Sequence, residues 1–405
     1  MNSTLTQQPV AGFRPSLLIL ALLAVAGFVY FAFMAMGTHP EKVWLVFLIN
    51  FLLFTALSVG AVLFSTLMHF TKAKWCRGLT GVAEAFIAFF PISFILFLIL
   101  FLGSDHVFPW LGEDLHGKEA WLNVPFLFTR DLIGLLILYL LGFGYLYHSL
   151  KLKLNRDASS GFLKGILLNL WKDPAPDVEV TRRRMTYFAG WYMFAFALVL
   201  SLIGFDLVMS MDAHWYSTLF GAYTFIKAIY SGFGALIIAA AILHLSSAQT
   251  FSLTARQFRD ISTLFFGFAI VWGDFFYAQF LVIWYGNIPE ETSYIIERTM
   301  VSPWSSIAWA IFIICFIFPF IVLLRGKIKE TPQVMIGICS LVLIGFWLEH
   351  FLLLAPSYLH GVQQVPIGLN DVVISIGFLS LFVLSIAYYL KQFPELLQND
   401  TGEVV

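Results

Sequence analysis

Long apolar stretches recur along the whole sequence and limit the folds that it can adopt. Ten of them are long enough to cross a hydrocarbon layer about 30 Å thick as helices, which rise about 1.5 Å per residue. They cover residues 16–36, 43–69, 79–103, 126–148, 187–211, 215–245, 261–287, 304–325, 333–354 and 367–391. Stretches of this length and composition are typical of transmembrane helices. The sequence therefore predicts an all-α polytopic membrane protein with about ten transmembrane helices.

The composition favours the same class and excludes several others. Apolar residues make up 60% of the chain and charged residues only 12%, whereas about a quarter of a soluble globular protein is charged. The net charge of −1 gives no indication of a nucleic-acid partner. Cys76, Cys315 and Cys339 form no CxxC or CxxCH motif, which argues against a zinc ribbon, an iron–sulfur cluster or covalent haem.

Basic residues are concentrated on one side of the predicted helices. That side carries Arg14, Lys72, Lys74, Arg77, the run from Lys151 to Arg184, Arg256, Arg259, Arg325, Lys327, Lys329 and Lys391, and the other side carries only Lys42, Lys118, Arg130 and Arg298. Because cytoplasmic loops are enriched in Lys and Arg, we expect both termini in the cytoplasm. Residues 1–405 would form one membrane domain with halves 16–148 and 187–391, a cytoplasmic loop at 149–186 and a tail at 392–405.

Lys227 is a charge placed deep inside a predicted span. It lies about twelve residues into the sixth apolar stretch, where a charged side chain costs at least about 2.5–3.5 kcal/mol. Asp274 lies at a similar depth in the seventh stretch, and we predict that the two form an ion pair. Such a pair could be purely structural, since breaking a buried pair leaves an uncompensated charge.

Further protonatable residues lie above and below this predicted pair. Together they give a candidate proton path of Asp206, Tyr223, Lys227, Tyr230, His244, Asp274, Glu349 and His350. Asp206, Glu349 and His350 would connect the pair to the outer water, and Tyr223, Tyr230 and His244 would extend it toward the cytoplasm. Buried carboxylates and lysines can exchange protons near neutral pH. A static network remains the alternative, because periodicity does not show that these helix faces converge.

Ionisable residues are sparser in the first half. Glu84, His69 and His148 lie near the cytoplasmic ends of their spans, and His39, His106, Arg130 and Asp131 lie near the outer side. An Asp–His pair there could accept the two protons that a quinol releases, which predicts a quinone-head site. Asp131 could instead simply stabilise the start of its helix. A haem between His69, His148 and His244 is disfavoured, since histidines at helix ends are usually stabilised by the helix dipole, and no metal is expected.

Three segments together resemble a known family. They are FDLVMSMDAHWYSTLFGAY (205–223), IVWGDFFYAQFLVIWYGNIPEE (270–291) and FWLEHFLLLAPSY (346–358). They are similar to the NrfD/PsrC-like integral membrane subunits of quinone-linked redox complexes. Within that group the resemblance is greatest to the smaller such subunit, of ActF type, in bacterial alternative complex III, and it covers essentially all ten spans.

The resemblance implies a fold, partners and sites. The fold would be two four-helix bundles flanked by two further helices, in the bacterial cytoplasmic membrane. The partners would be a larger NrfD-like subunit, a periplasmic iron–sulfur subunit, multihaem and monohaem cytochrome c subunits, a terminal oxidase and lipids, with all haems and iron–sulfur clusters in the partners. Menaquinol would be oxidised near His39, His106, Arg130 and Asp131, or else in the larger sister subunit, which would leave this chain for assembly or proton conduction. Protons would move past Asp206, Lys227, Asp274, Glu349 and His350.

Two other classes of function remain open. A secondary transporter could use the same charges for ion coupling, but transporters commonly carry broken helices at matching places in their repeats. Pro91 and Pro319 do not occupy clearly corresponding places. A passive membrane scaffold is the other alternative, and it would leave the mid-membrane charges unexplained.

Overall fold

The computed structural model describes residues 14–37, 40–115, 117–154, 164–165, 177–246, 251–359, 362 and 364–397, and within these residues it contains helices and no strands. Ten helices are long and apolar enough to cross a membrane. They are α1 (Arg14–Ala35), α2 (Pro40–Phe70), α3 (Arg77–Leu102), α4 (Val124–Lys153), α5 (Val178–Leu207), α6 (Phe220–Ser246), α7 (Ala255–Gly286), α8 (Trp304–Leu323), α9 (Pro332–Leu354) and α10 (Leu369–Gln392). The predicted all-α polytopic class is therefore confirmed.

Shorter elements interrupt or connect these helices. Two 3₁₀ turns, Arg77–Leu79 and Phe86–Phe89, lie within α3, and a π-helical segment, Ile313–Ile317, lies within α8. The connecting segments contain the helices Ser104–Val107, Pro289–Thr299 and Gly326–Lys329 and the 3₁₀ helices Met209–Met211, Ala355–Ser357 and Pro394–Leu397.

Capping residues determine where several helices begin, and these positions differ from those predicted from the apolar stretches. Helix α5 begins nine residues before the predicted position 187, because the Asp177 side chain accepts hydrogen bonds from the N–H groups of Glu179 (2.9 Å) and Val180 (3.1 Å). Helix α7 begins at Ala255 behind a capping box formed by Thr254 and Gln257. Such caps satisfy backbone donors that a helix start leaves free, so charged residues can extend a helix beyond the apolar layer.

The ten helices form two four-helix bundles and a flanking pair. Helices α2, α3, α4 and α5 make the first bundle, and α6, α7, α8 and α9 make the second. Helix α1 packs along α10, and α10 packs on α2 and α3. The bundles meet mainly where α2 contacts α6, with further contacts from α5 to α6 and from α2 to α9. This is the arrangement that the resemblance implied.

Glycines allow α2 and α6 to cross at close range. A Cβ atom added at Gly60 would lie 2.0 Å from the Ala228 carbonyl oxygen, and one added at Gly232 would lie 2.5 Å from the Gly60 carbonyl carbon. Both positions therefore need a residue without a side chain. Helix α2 is enclosed by its neighbours. Its most apolar segment of 18 residues is completely buried, compared with 17% of the corresponding segment of α1.

Two faces of the protein are distinguished below. The terminal face is the one at which α1 begins and α10 ends, and the opposite face is the other one. At the terminal face, Lys164 pairs with Glu395, and the Leu396 carbonyl packs on Gly81 of α3. The predicted tail at 392–405 thus begins as a packed 3₁₀ helix. Its last eight residues, and most of the predicted loop at 149–186, lie outside the described residues.

The helix Pro289–Thr299 lies at the opposite face and is anchored to the end of α9. Its Arg298 side chain is buried and donates hydrogen bonds to the Leu353 carbonyl and the Ser357 hydroxyl, each 3.2 Å long. Tyr294 on the same helix stacks on Trp215 with ring centroids 3.9 Å apart. This helix therefore closes the second bundle at the opposite face.

Candidate functional site

Lys227 lies deep in the second bundle and pairs with Glu349 of α9. Its Nζ atom is 3.6 Å from Glu349 Oε1, and both side chains are 4% exposed. Tyr223, one turn earlier on α6, donates its hydroxyl hydrogen to the same Oε1 atom, and Lys227 Nζ lies 5.5 Å from the centre of the Tyr223 ring. Among the described residues, Glu349 Oε2 has no hydrogen-bond partner. The site is therefore a buried ion pair in which one carboxylate oxygen, Glu349 Oε2, is free to accept a further hydrogen bond.

The predicted ion pair between Lys227 and Asp274 was wrong. Asp274 lies on the exposed face of α7 and makes no hydrogen bond or ion pair with any described residue. Trp272, two residues before it, is fully buried and lies beside Tyr223 with ring centroids 6.3 Å apart. Side chains two residues apart on a helix point roughly 200° away from each other. Because Trp272 points into the bundle, Asp274 points away from the site. The position of Asp274 in the sequence predicted its depth along α7, but not the direction in which its side chain points.

A cavity large enough for a water molecule lies next to Lys227, between the two bundles. Lys227, His350, Thr55 and Thr224 line it, together with apolar side chains of α2 and α5. His350 is buried, and its Nδ1 atom lies 2.8 Å from the Phe346 carbonyl oxygen. Because a carbonyl only accepts, Nδ1 carries the hydrogen in this contact. The cavity thus brings the ammonium group close to side chains of the first bundle.

A chain of buried hydroxyl groups continues from the cavity into the first bundle. The Thr55 and Ser93 hydroxyl oxygens are 2.6 Å apart, and the Tyr139 hydroxyl donates to Ser93 Oγ at 2.8 Å. These three residues lie on α2, α3 and α4 and are all buried. A hydroxyl group can donate and accept at once, so such a chain can pass a proton along its hydrogen bonds.

Glu84 is a second buried carboxylate, in the first bundle near the terminal face. Its Oε1 atom accepts hydrogen bonds from Lys153 (2.8 Å), Ser149 (2.9 Å) and Ser65 (3.0 Å). The Ser65 hydroxyl also lies 3.0 Å from that of Tyr145. Glu84 is fully buried, whereas Lys153 is 23% exposed and reaches the surface. The sequence predicted that Glu84 lies at this end of its span but assigned it no role. A single carboxylate inside an apolar stretch was the feature that could have marked it as a candidate site residue.

A third buried carboxylate cluster lies near the opposite face. Arg130 binds Asp206 through two hydrogen bonds, Nε to Oδ2 at 2.5 Å and Nη2 to Oδ1 at 2.7 Å. Trp121 donates to Asp206 Oδ1 at 3.1 Å, and its ring centre lies 3.9 Å from the Arg130 guanidinium carbon. Fully buried Asp131 lies beside Asp206. Among the described residues, neither carboxyl oxygen of Asp131 has a hydrogen-bond partner, so this buried carboxyl group is left unsatisfied near the opposite face.

This cluster unites residues that the sequence assigned to two different sites. Arg130 and Asp131 were predicted to hold a quinone head, and Asp206 was predicted to belong to the proton path. The alternative that Asp131 stabilises the start of its helix was wrong, because α4 begins at Val124 and has no acidic residue in its first turn. His106 is half-buried in the helix Ser104–Val107 and makes no side-chain hydrogen bond or ion pair with described residues. His39 lies outside the described residues.

Tyr230 and His244 are not joined to each other by polar contacts. The Tyr230 hydroxyl donates to the Cys315 carbonyl oxygen at 3.1 Å. His244 is half-buried at the end of α6, where its Nδ1 atom accepts from the Leu253 N–H at 3.3 Å. Between them α6 carries one hydroxyl, that of Ser231, which bonds back to the Ala228 carbonyl. The predicted extension of the path along α6 thus has no continuous polar contact within the described residues.

Within the part of the chain that the structure describes, the cysteines and the other potential metal ligands form no candidate site. All three cysteines are buried thiols. Burial raises the pKa of Cys76, between α2 and α3, to about 12, so its thiol stays protonated at neutral pH. No group of three or more His, Cys, Asp or Glu suited to a metal ion occurs among the described residues.

Comparison with known proteins adds no assignment to these clusters. No protein-family model and no curated protein matches the chain. The resemblance of the three segments to NrfD/PsrC-like subunits therefore stays a prediction. The buried clusters are an independent source of information about function.

Proposed function

We propose that this chain is a proton-conducting membrane subunit of a quinol-oxidising complex in the bacterial cytoplasmic membrane, with both termini in the cytoplasm. The observation that carries the proposal is the Lys227–Glu349 pair, buried beside a cavity that can hold water. A buried ion pair is often less stabilising than apolar side chains of equal size. In a membrane, ionisable groups that face the bundle interior are typical of proton paths. Electrons would pass through redox centres in partner subunits, to cytochrome c or a terminal oxidase.

The positions of the buried polar residues, rather than an unbroken chain of hydrogen bonds, support a path that crosses between the bundles. It would begin at the terminal face, where Lys153 connects Glu84 to water. Ser65, Ser58 and Thr55 are spaced seven and three residues apart along α2, so they share one helix face and lead from Glu84 toward the cavity. Beyond the cavity lie Lys227 and Glu349. The path would end at the Arg130–Asp206–Asp131 cluster near the opposite face, rather than run along α6 to His244.

Replacement of Glu84 by Gln tests the start of this path. The amide oxygen of Gln can still accept hydrogen bonds from Ser65 and Ser149, but the side chain cannot take up a proton. In liposomes that contain the intact complex, menaquinol oxidation should then translocate protons at least about tenfold more slowly. The measurement is the change of a trapped pH-sensitive dye.

Glu330→Gln is the matched control for Glu84→Gln. Glu330 also lies at the terminal face and pairs with Arg259 at 3.1 Å, but both side chains are well exposed. This variant should translocate protons at the normal rate. Equal rates in the two variants would show that protons do not enter through Glu84.

Replacement of Asp131 by Asn tests the quinol part of the proposal. The Arg130–Asp206–Asp131 cluster offers carboxyl groups that could receive protons from a quinol near the membrane surface. Asn cannot receive a proton, so quinol oxidation by the intact complex should slow by at least about tenfold. Asp371→Asn is the control, since Asp371 is equally buried near the opposite face but pairs with Lys42. A normal oxidation rate in Asp131→Asn would remove the quinol role from this chain.

A secondary ion-coupled transporter is the second candidate. Its support is the position of Lys227, Glu349 and the cavity, which lie where the two bundles meet. Transporters often bind their ions at such a junction near the membrane midplane. The purified chain alone, in liposomes with an imposed ion gradient, should then catalyse flux without any partner. A passive scaffold would instead leave proton movement unchanged in every variant of the buried clusters.

A further inference from the structure

Asp274 is an exposed carboxylate halfway along a transmembrane helix. The apolar part of α7 runs from about residue 261 to the aromatic pair Trp284 and Tyr285, which places Asp274 near its middle. Asp274 makes no hydrogen bond or ion pair with any described residue. At this depth a carboxylate costs about 2.5 kcal/mol or more in contact with hydrocarbon. Lipid chains are therefore a poor neighbour for this part of the surface.

Asp274 lies in a regular stripe of outward-facing residues on α7. The stripe consists of Thr263, Gly267, Ile270, Asp274, Tyr277, Leu281 and Trp284, at alternating intervals of four and three residues, and all of them are exposed or half-buried. A Cβ atom added at Gly267 would meet nothing within 4 Å. Within the stripe, Thr263 and Gly267 are small residues four positions apart, a spacing that is typical of surfaces where membrane helices pack together.

The negative charge of Asp274 at the centre of the stripe determines which kind of partner can bind there. A carboxylate held at mid-membrane is stabilised most strongly by a cation at the same depth. A second copy of this chain could not supply one from its described part. There the exposed Lys and Arg side chains lie near helix ends, and mid-span Lys227 is buried against Glu349.

We propose that a transmembrane helix of a different protein binds along this stripe and places a Lys or Arg side chain against Asp274. The proposal goes beyond proton conduction, since it would hold even if the Lys227 site conducted no protons. It also gives a role to the outward-facing side of α7. Trp272 completes the interior of the second bundle, and Asp274 is presented to the partner.

Photocrosslinking in native membranes tests the proposal. Tyr277, 60% exposed and one turn from Asp274, is replaced by a photoreactive phenylalanine derivative in the full-length chain. Crosslinked peptides are then identified by mass spectrometry. The expected product is a peptide from an apolar span of another protein that contains Lys or Arg near the crosslinked residue. Products with lipid only, or with a second copy of this chain, would overturn the proposal.

Charge exchange shows whether the crosslink depends on Asp274. Asp274→Lys should lower the yield by about threefold to thirtyfold, the range expected for one polar contact between membrane helices. Changing the identified Lys or Arg of the partner to Asp should restore the yield in that background. Glu290→Gln, which alters an exposed carboxylate beyond the end of α7, should leave it unchanged. A yield independent of the charge at position 274 would also overturn the proposal.

Discussion

Replacement of Lys227 by Met is expected to abolish proton translocation by the complex. Met fills a similar volume but cannot hold a proton or pair with Glu349. Glu349 can itself become neutral by keeping a proton, and it retains the hydrogen bond from Tyr223, so the chain should still fold. Proton movement is measured with the intact complex in liposomes during menaquinol oxidation. Full translocation in this variant would mean that the buried pair is structural.

Two further variants separate conduction from stability. Lys42→Met is the matched control, because Lys42 also pairs with a buried carboxylate, Asp371, at 3.6 Å but is 28% exposed near the opposite face. It should translocate protons normally. Loss of one partner from a buried ion pair costs about 3–5 kcal/mol. The double variant Lys227→Met with Glu349→Gln should therefore regain thermal stability relative to Lys227→Met and still conduct no protons. A double variant that conducts would contradict the assignment.

Replacement of Gly60 by Ala is expected to disrupt the contact between the two bundles. The added methyl carbon would lie 2.0 Å from the Ala228 carbonyl oxygen, and backbone atoms cannot move aside as a flexible side chain can. Separation of α2 from α6 should lower the free energy of unfolding by about 3 kcal/mol, at the upper end of the usual cost of overpacking. Thermal unfolding of the detergent-solubilised chain measures the change.

Gly337 provides the comparison for this substitution. It lies on the exposed side of α9, and a Cβ atom there would meet nothing within 4 Å. Gly337→Ala should be neutral or stabilise the chain by about 0.5–1 kcal/mol, because Ala favours the helix more than Gly does. Equal stability of the two variants would show that α2 and α6 have room to separate at Gly60.

The length of the apolar stretches was enough to predict the ten helices, because crossing a hydrocarbon layer fixes a minimum run of residues. The ends of the helices were less predictable. Asp177 and Thr254 start α5 and α7 well outside the apolar stretches, and caps of this kind depend on single polar residues. The pairing of bundles depends on Gly60 and Gly232, which look like any other glycines in a transmembrane sequence.

The candidate site was predictable in depth but not in direction. Apolar residues occupy every face of α6, so periodicity could not identify the face that carries Lys227. Asp274 and Glu349 were both available as partners, and only the rotation of α7 and α9 about their axes decides between them. Arg130 and Asp206 are 76 residues apart in sequence. Their pairing follows from two helix ends meeting at one face, which no local pattern reveals.

The contact of Gly60 with Ala228 and Gly232 has a consequence for the cavity between the bundles. Backbone atoms of α2 and α6 are in direct contact there, so this point sets the spacing between the two bundles. Ala228 also lines the cavity beside Lys227. A substitution that forces α2 and α6 apart at this point should therefore also change the volume of that cavity.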